Sequence, residues 1–160
     1  MRIRTNSKYV KKNDIFVNIW DYKNPDYPFQ IFIGGRGKGK TFSGLYGDER
    51  GGLYRALNDD NYKFMYARRT QDESEMCQCS KGEENANPFK QVNQKKGTNA
   101  GFFKLNKKIS GIYQMNKENE GQILPEGRLL GYGCGVSTIG SMRSLDFTDV
   151  EDCICDEFIP

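Results

Sequence analysis

Gly34-Gly35-Arg36-Gly37-Lys38-Gly39-Lys40-Thr41 fits the phosphate-binding loop pattern G-x-x-x-x-G-K-S/T at every position. The preceding Ile31-Phe32-Ile33 reads as a short buried strand, and the residues after Gly39 can start a helix. Strand, loop and helix in that order predict an α/β fold. Glycines allow successive backbone N–H groups to turn inward around phosphates, and the start of the helix adds partial positive charge. Lys40 is then placed to reach the β- and γ-phosphates of ATP, and Thr41 to offer its hydroxyl to Mg²⁺. Arg36 stands inside the loop, where small residues are common. It reads either as a cation supplied in cis to charge that builds on the γ-phosphate or as a solvated side chain.

A second motif closes the chain: Asp149-Val150-Glu151-Asp152-Cys153-Ile154-Cys155-Asp156-Glu157-Phe158. Val150 to Cys155 read as a strand in which Val150, Cys153, Ile154 and Cys155 can be buried, and it stops at two adjacent carboxylates. Ligands of open parallel sheets bind outside the C-terminal ends of the strands. Asp156 therefore suits a Mg²⁺ site, and Glu157 suits the base that orients and deprotonates an attacking water. A metabolite kinase has no use for such a base. Lys40 and Thr41 with Asp156 and Glu157 favour hydrolysis coupled to mechanical work.

With 160 residues, 36% of them hydrophobic, the chain suffices for one domain with a modest core. No apolar run approaches the roughly 20 residues that span a bilayer, so no membrane association is expected. Met1 to Lys12 are basic and polar, without the apolar stretch of a secretory signal. The five cysteines form no C-x-x-C pair and there is no histidine, which argues against zinc. Cys153 and Cys155 share one face of their strand and read as small apolar fillers of a reduced, intracellular protein. The net charge of +3 is uneven. Arg2, Arg4, Lys8, Lys11 and Lys12 form one basic region, and Lys90, Lys95, Lys96, Lys104, Lys107 and Lys108 another. Both suit either a nucleic-acid backbone or a solvated face.

Between the motifs, Trp20, Tyr22 and Tyr27 could stack on adenine or pack in the core. A helix from about Gly39 breaks at Gly47 and Gly51-Gly52 and resumes to Leu57. Tyr62 to Ala67 read as a strand ending in Arg68-Arg69, candidates for phosphate, DNA or subunit contact. Gln71 to about Ser80 read as a helix, followed by a looser stretch through Asn87-Pro88. Phe102 to Leu105, Ile109 to Met115 and Arg128 to Val136 read as antiparallel strands, with a loop at Asn116 to Glu126. A catalytic Glu beside a Mg²⁺ carboxylate implies further strands, one of them between the two motif strands. The expectation is therefore an N-terminal piece of a longer protein, or a truncated form.

On these residues the chain resembles the large terminase subunits, the DNA-packaging ATPases of tailed bacteriophages, and is most similar to the compact motors of small short-tailed phages. The resemblance rests on G-G-R-G-K-G-K-T, on Y-A-R-R at the end of the next strand and on C-I-C-D-E-F-I, and covers about residues 29 to 160. It implies a phosphate-loop ATPase domain of the ASCE type across residues 1–160. That domain has a mostly parallel sheet flanked by helices, an antiparallel β-rich insertion and an end soon after the Asp-Glu strand. It also implies a C-terminal nuclease-like domain outside these residues. The implied partners are double-stranded DNA, the procapsid portal and a ring of five subunits, in the cytoplasm of an infected bacterium. In this family an arginine from a neighbouring subunit often completes the site; Arg143 is the candidate here, with one beyond Pro160 as the alternative. A helicase or repair ATPase is the competing reading, although its Asp-Glu often continues to Ala and Asp or His rather than Phe158-Ile159. A nucleotide or metabolite kinase, which needs an acceptor pocket, and a binding module without catalysis stand behind it.

Overall fold

Phe64-Met65-Tyr66-Ala67 is apolar without interruption, the pattern of a strand covered on both faces. The computed structural model describes residues 18–24, 26–27, 29–32, 39–79, 87–117, 123–140 and 147–156, and buries these four at the centre of strand β1 (Lys63–Arg68). The sheet also contains β2 (Ala100–Lys104), β3 (Ser110–Lys117), β4 (Ile123–Gly135) and β5 (Val150–Cys155), in the order β2-β3-β4-β1-β5. β1 pairs in parallel with β4 on one side and β5 on the other. The β2–β3 and β3–β4 ladders are antiparallel.

The molecule is thus α/β with an open, five-stranded, mixed sheet flanked by helices. It is not mostly parallel, because β4 serves both halves: antiparallel to β3 and parallel to β1. The glycine-punctuated β-rich segment extends the sheet rather than forming a separate layer. β3 and β4 also reach further than expected, taking residues 116–117 and 123–126 from the anticipated loop.

Helix α1 (Lys40–Leu45) follows Gly39, whose φ of 79° is one that residues with a Cβ adopt reluctantly. A short 3-10 turn at Gly47–Glu49 leads to α2 (Gly52–Asn58), as the glycine pattern predicts. A Cβ on Gly51 would lie 2.2 Å from the Leu45 carbonyl carbon, so only glycine lets the chain double back there. Helix α3 (Gln71–Glu75) is opened by a capping box between Thr70 and Glu73 and is shorter than the sequence suggests.

Helix α4 (Lys90–Lys96) follows the stretch that reads as loose, in polar sequence to which no element was assigned. Asn87 accepts from the Phe89 amide (3.0 Å) and donates to the Ala100 carbonyl (3.0 Å), tying the start of α4 to β2. Asn93 bonds both backbone groups of Ala100, accepting at 3.0 Å and donating at 2.9 Å. These contacts, together with buried Phe89 and Val92, hold in place a helix whose remaining residues are polar. A four-residue helix, α5 (Val136–Ile139), follows β4.

The larger core lies on the α1/α2/α4 face and includes Leu45, Leu53, Phe64, Tyr66, Phe89, Val92, Phe102 and Ile112. Phe89 stacks on Phe102 (4.7 Å, 13°), and the Tyr66 ring meets both at 5.9 and 5.7 Å. Such pairs contribute roughly 0.5–1.5 kcal/mol each beyond area burial. The opposite face carries a smaller cluster of Met65, Ala67, Ile109 and Cys134.

Two further expectations need correction. Residues 29–32 are not a strand, and Phe29 and Ile31 are 88% and 71% exposed; Ile33 lies outside the described residues. Gln30 bonds both backbone groups of Asn24, turning this segment onto its own preceding turn instead of into the sheet. Cys153 and Cys155 are exposed rather than buried fillers. Among the described residues β5 pairs with β1 alone, and its burial alternates as it does on an edge strand.

Candidate functional site

β1, β4 and β5 run in parallel, so their C-terminal ends form one edge of the sheet, at Arg68, Gly135 and Asp156. The ladder continues one residue past β5, where the Asp156 amide donates to the Ala67 carbonyl at 2.9 Å. This fixes the Asp156 backbone. Its side chain, 12% exposed, meets side chains from two elements, α1 and β1. Thr41 Oγ1 on α1 donates to Oδ2 at 2.8 Å, and Tyr66 Oη on β1 donates to the same oxygen at 2.6 Å. Arg68, at the end of β1, places Nη1 3.6 Å from it as an ion-pair partner. Burial raises the Tyr66 phenol well above its ordinary range, and the neighbouring carboxylate raises it further. Tyr66 therefore remains a hydroxyl donor at neutral pH.

The two sequence motifs, 115 residues apart at Thr41 and Asp156, are joined by a hydrogen bond. The pair suits a small hard cation, since both groups offer oxygen. Their 2.8 Å separation is that of adjacent ligands on an octahedral Mg²⁺, about 2.9 Å for bonds of about 2.0–2.1 Å. Lys40 is the first residue of α1, directly beside Thr41.

Of the proposed site residues, Gly39, Lys40, Thr41 and Asp156 are described. Gly34, Gly35, Arg36, Gly37, Lys38, Arg143 and Glu157 lie outside the described residues. Tyr66 is a site residue that sequence reading missed, because a tyrosine in an apolar strand carries no signal of what its hydroxyl meets. The Arg68-Arg69 pair divides: Arg68 faces Asp156, whereas Arg69 is engaged by Glu73 one helical turn along, at 2.8 Å.

A second carboxylate on β5 is structural. Asp152 accepts from Lys23 (2.8 Å), Arg55 (2.8 Å) and Tyr62 (2.9 Å), which ties the N-terminal half of β5 to α2. Burial, followed by the Asp152 charge, raises the Tyr62 phenol. Trp20 donates from Nε1 to the Ser43 carbonyl (2.8 Å), bracing α1 from outside, while Tyr27 is exposed. Of the second basic region, Lys95 and Lys96 lie over the rings of Phe42 and Tyr46, 5.2 and 4.7 Å from their centroids.

Among the described residues no helix is long and apolar enough to cross a membrane. No family model matches the sequence, and neither curated proteins nor solved structures give a significant match.

Proposed function

We propose that this chain is a phosphate-loop ATPase of the ASCE type that uses Mg²⁺ and ATP to drive double-stranded DNA into a viral procapsid, as the large terminase subunits do. The observation that carries the nucleotide part is the Thr41–Asp156 hydrogen bond. It joins the two halves of a magnesium site at the edge of the sheet where nucleotides bind in folds of this class. The DNA, the portal and the ring of subunits rest on the sequence resemblance.

Thr41 and Asp156 hold the cation, and Lys40 binds the β- and γ-phosphates. Mg²⁺ and ATP, when bound, supply the phosphoryl group and the charge neutralisation its transfer needs. Tyr66 and Arg68 hold the Asp156 carboxylate in place, Tyr66 by donating a hydrogen bond and Arg68 as an ion-pair partner. Glu157, next in sequence, takes a proton from the attacking water. Arg36 in cis and Arg143 from a neighbouring subunit offset charge on the γ-phosphate.

Calorimetric titration with ATP, with and without Mg²⁺, tests this reading. Binding should be lost in Lys40→Ala, and its magnesium dependence lost in Asp156→Ala. Unchanged ATP affinity in both variants refutes the site. Hydrolysis that double-stranded DNA and portal fail to stimulate in the full-length protein refutes the packaging role.

A further inference from the structure

Cys153 and Cys155 stand two residues apart on one face of β5, both exposed, with their Sγ atoms 3.8 Å apart. Cys155 directly precedes Asp156. We propose that these two thiols form a reversible oxidation site whose closure disables the Asp156 site. The effect on turnover rests on the nucleotide role proposed for Asp156, whereas the thiol chemistry does not.

Cys134 is the other thiol on this face, but it is buried and pairs with the far side of Ala67. Two strand spacings, about 9–10 Å between Cα atoms, separate it from Cys155, beyond the reach of a bridge. Residues two apart in a strand have Cα atoms about 6.6–6.8 Å apart, the upper end of what a disulfide spans. Bridging Cys153 to Cys155 therefore contracts β5 immediately before Asp156. That carboxylate is held by the Asp156–Ala67 backbone bond and by Thr41, and both depend on the length and direction of β5. Exposed or strained disulfides are the readily reduced, regulatory ones.

The oxidant is a low-molecular-weight disulfide such as oxidised glutathione. One cysteine, as its thiolate, attacks a sulfur of that disulfide, breaking its S–S bond and releasing one thiol as a mixed disulfide forms. The second cysteine, also as thiolate, attacks the protein sulfur of the mixed disulfide and expels the second small thiol. The two cysteines lose two electrons, the small disulfide gains them, and the two cysteine protons end on the two released thiols.

The test equilibrates the full chain in oxidised glutathione, followed by intact-mass measurement and peptide mapping. The expected product is about 2 Da lighter than the reduced chain, bridged between Cys153 and Cys155, and restored by dithiothreitol. Cys153→Ser and Cys155→Ser should each stop one glutathione heavier. No bridge, or a bridge mapped to other cysteines, overturns the proposal. In the bridged protein, ATPase activity should fall about ten-fold or more, as for loss of one hydrogen bond to a carboxylate, while the double serine variant keeps its rate. Unchanged activity on bridging overturns the switch. If the reduced chain has no ATPase activity, the proposed function fails, and hydrogen exchange of the Asp156 amide decides the switch. Exchange about ten-fold faster or more in the bridged form supports contraction of β5, and unchanged protection overturns it.

Discussion

Replacing Tyr66 with Phe removes one oxygen and leaves the ring. The ring is fully enclosed by Phe89 and Phe102, so no cavity of consequence opens and the cost isolates the hydrogen bond to Asp156. Hydrogen bonds to charged groups contribute about 1.5–3 kcal/mol net. The low end applies here, because Oδ2 keeps Thr41 at 2.8 Å and the Arg68 countercharge. A loss of about 1.5–2 kcal/mol is expected, which lowers Tm by roughly 3–8 °C for a chain of this size. Equilibrium urea unfolding is the direct assay, and the m-value should stay constant because the surface exposed on unfolding is unchanged. Tyr66→Ala, which also deletes the ring, should cost about 3–5 kcal/mol. A Tyr66→Phe variant as stable as the parent to within about 0.3 kcal/mol would mean that the phenol contributes nothing to holding the carboxylate, and the positioning role of Tyr66 would be withdrawn.

Glu157→Gln should bind ATP normally but turn over at least about 10²-fold more slowly, since the amide cannot accept a proton; equal loss of binding and turnover would point to a metal-ligand role. Mixed rings of full-length Glu157→Gln and Arg143→Ala subunits should be more active than either variant alone if Arg143 acts across an interface, and no recovery in rings shown to be mixed removes it from that role. Burial pushes the Cys134 thiol up to about 11, so at pH 8 it should stay protonated and react with iodoacetamide only as the protein unfolds. Exposed Cys153 and Cys155 should alkylate in the folded state, and mass-resolved labelling kinetics distinguish the three.

What the sequence disclosed followed from signals that are local. The glycines at 47, 51 and 52 set the breaks around α2, and the residues before Arg68 read as a strand, although its place between β4 and β5 came only from the fold. The strand ending at Asp156 was legible to the residue, because a short β-prone run stops at paired acids. α4 was not legible: its polar surface gives no periodicity, and it is held by the Asn87 and Asn93 bonds to Ala100, which only the fold brings near. The exposure of Cys153 and Cys155 was equally hidden, since a strand's composition does not say whether it ends up at an edge. At the site, the two motifs singled out Thr41 and Asp156, which the fold joins by a hydrogen bond. The contribution of Tyr66 depends on a long-range contact that no local pattern encodes.

The placement of β1 between β4 and β5 also governs how the chain folds as it is made. β1 emerges early, yet both of its partners come much later, β4 from Ile123 and β5 from Val150. At about 5–20 residues per second, Phe64 to Ala67 wait roughly 5–20 s after emerging before β5 has been synthesised. Contacts of such long sequence separation form slowly, and an unpaired apolar strand is prone to aggregate in the meantime. Translation speed and chaperone supply should therefore govern soluble yield, and chains truncated before Val150 should accumulate in inclusion bodies.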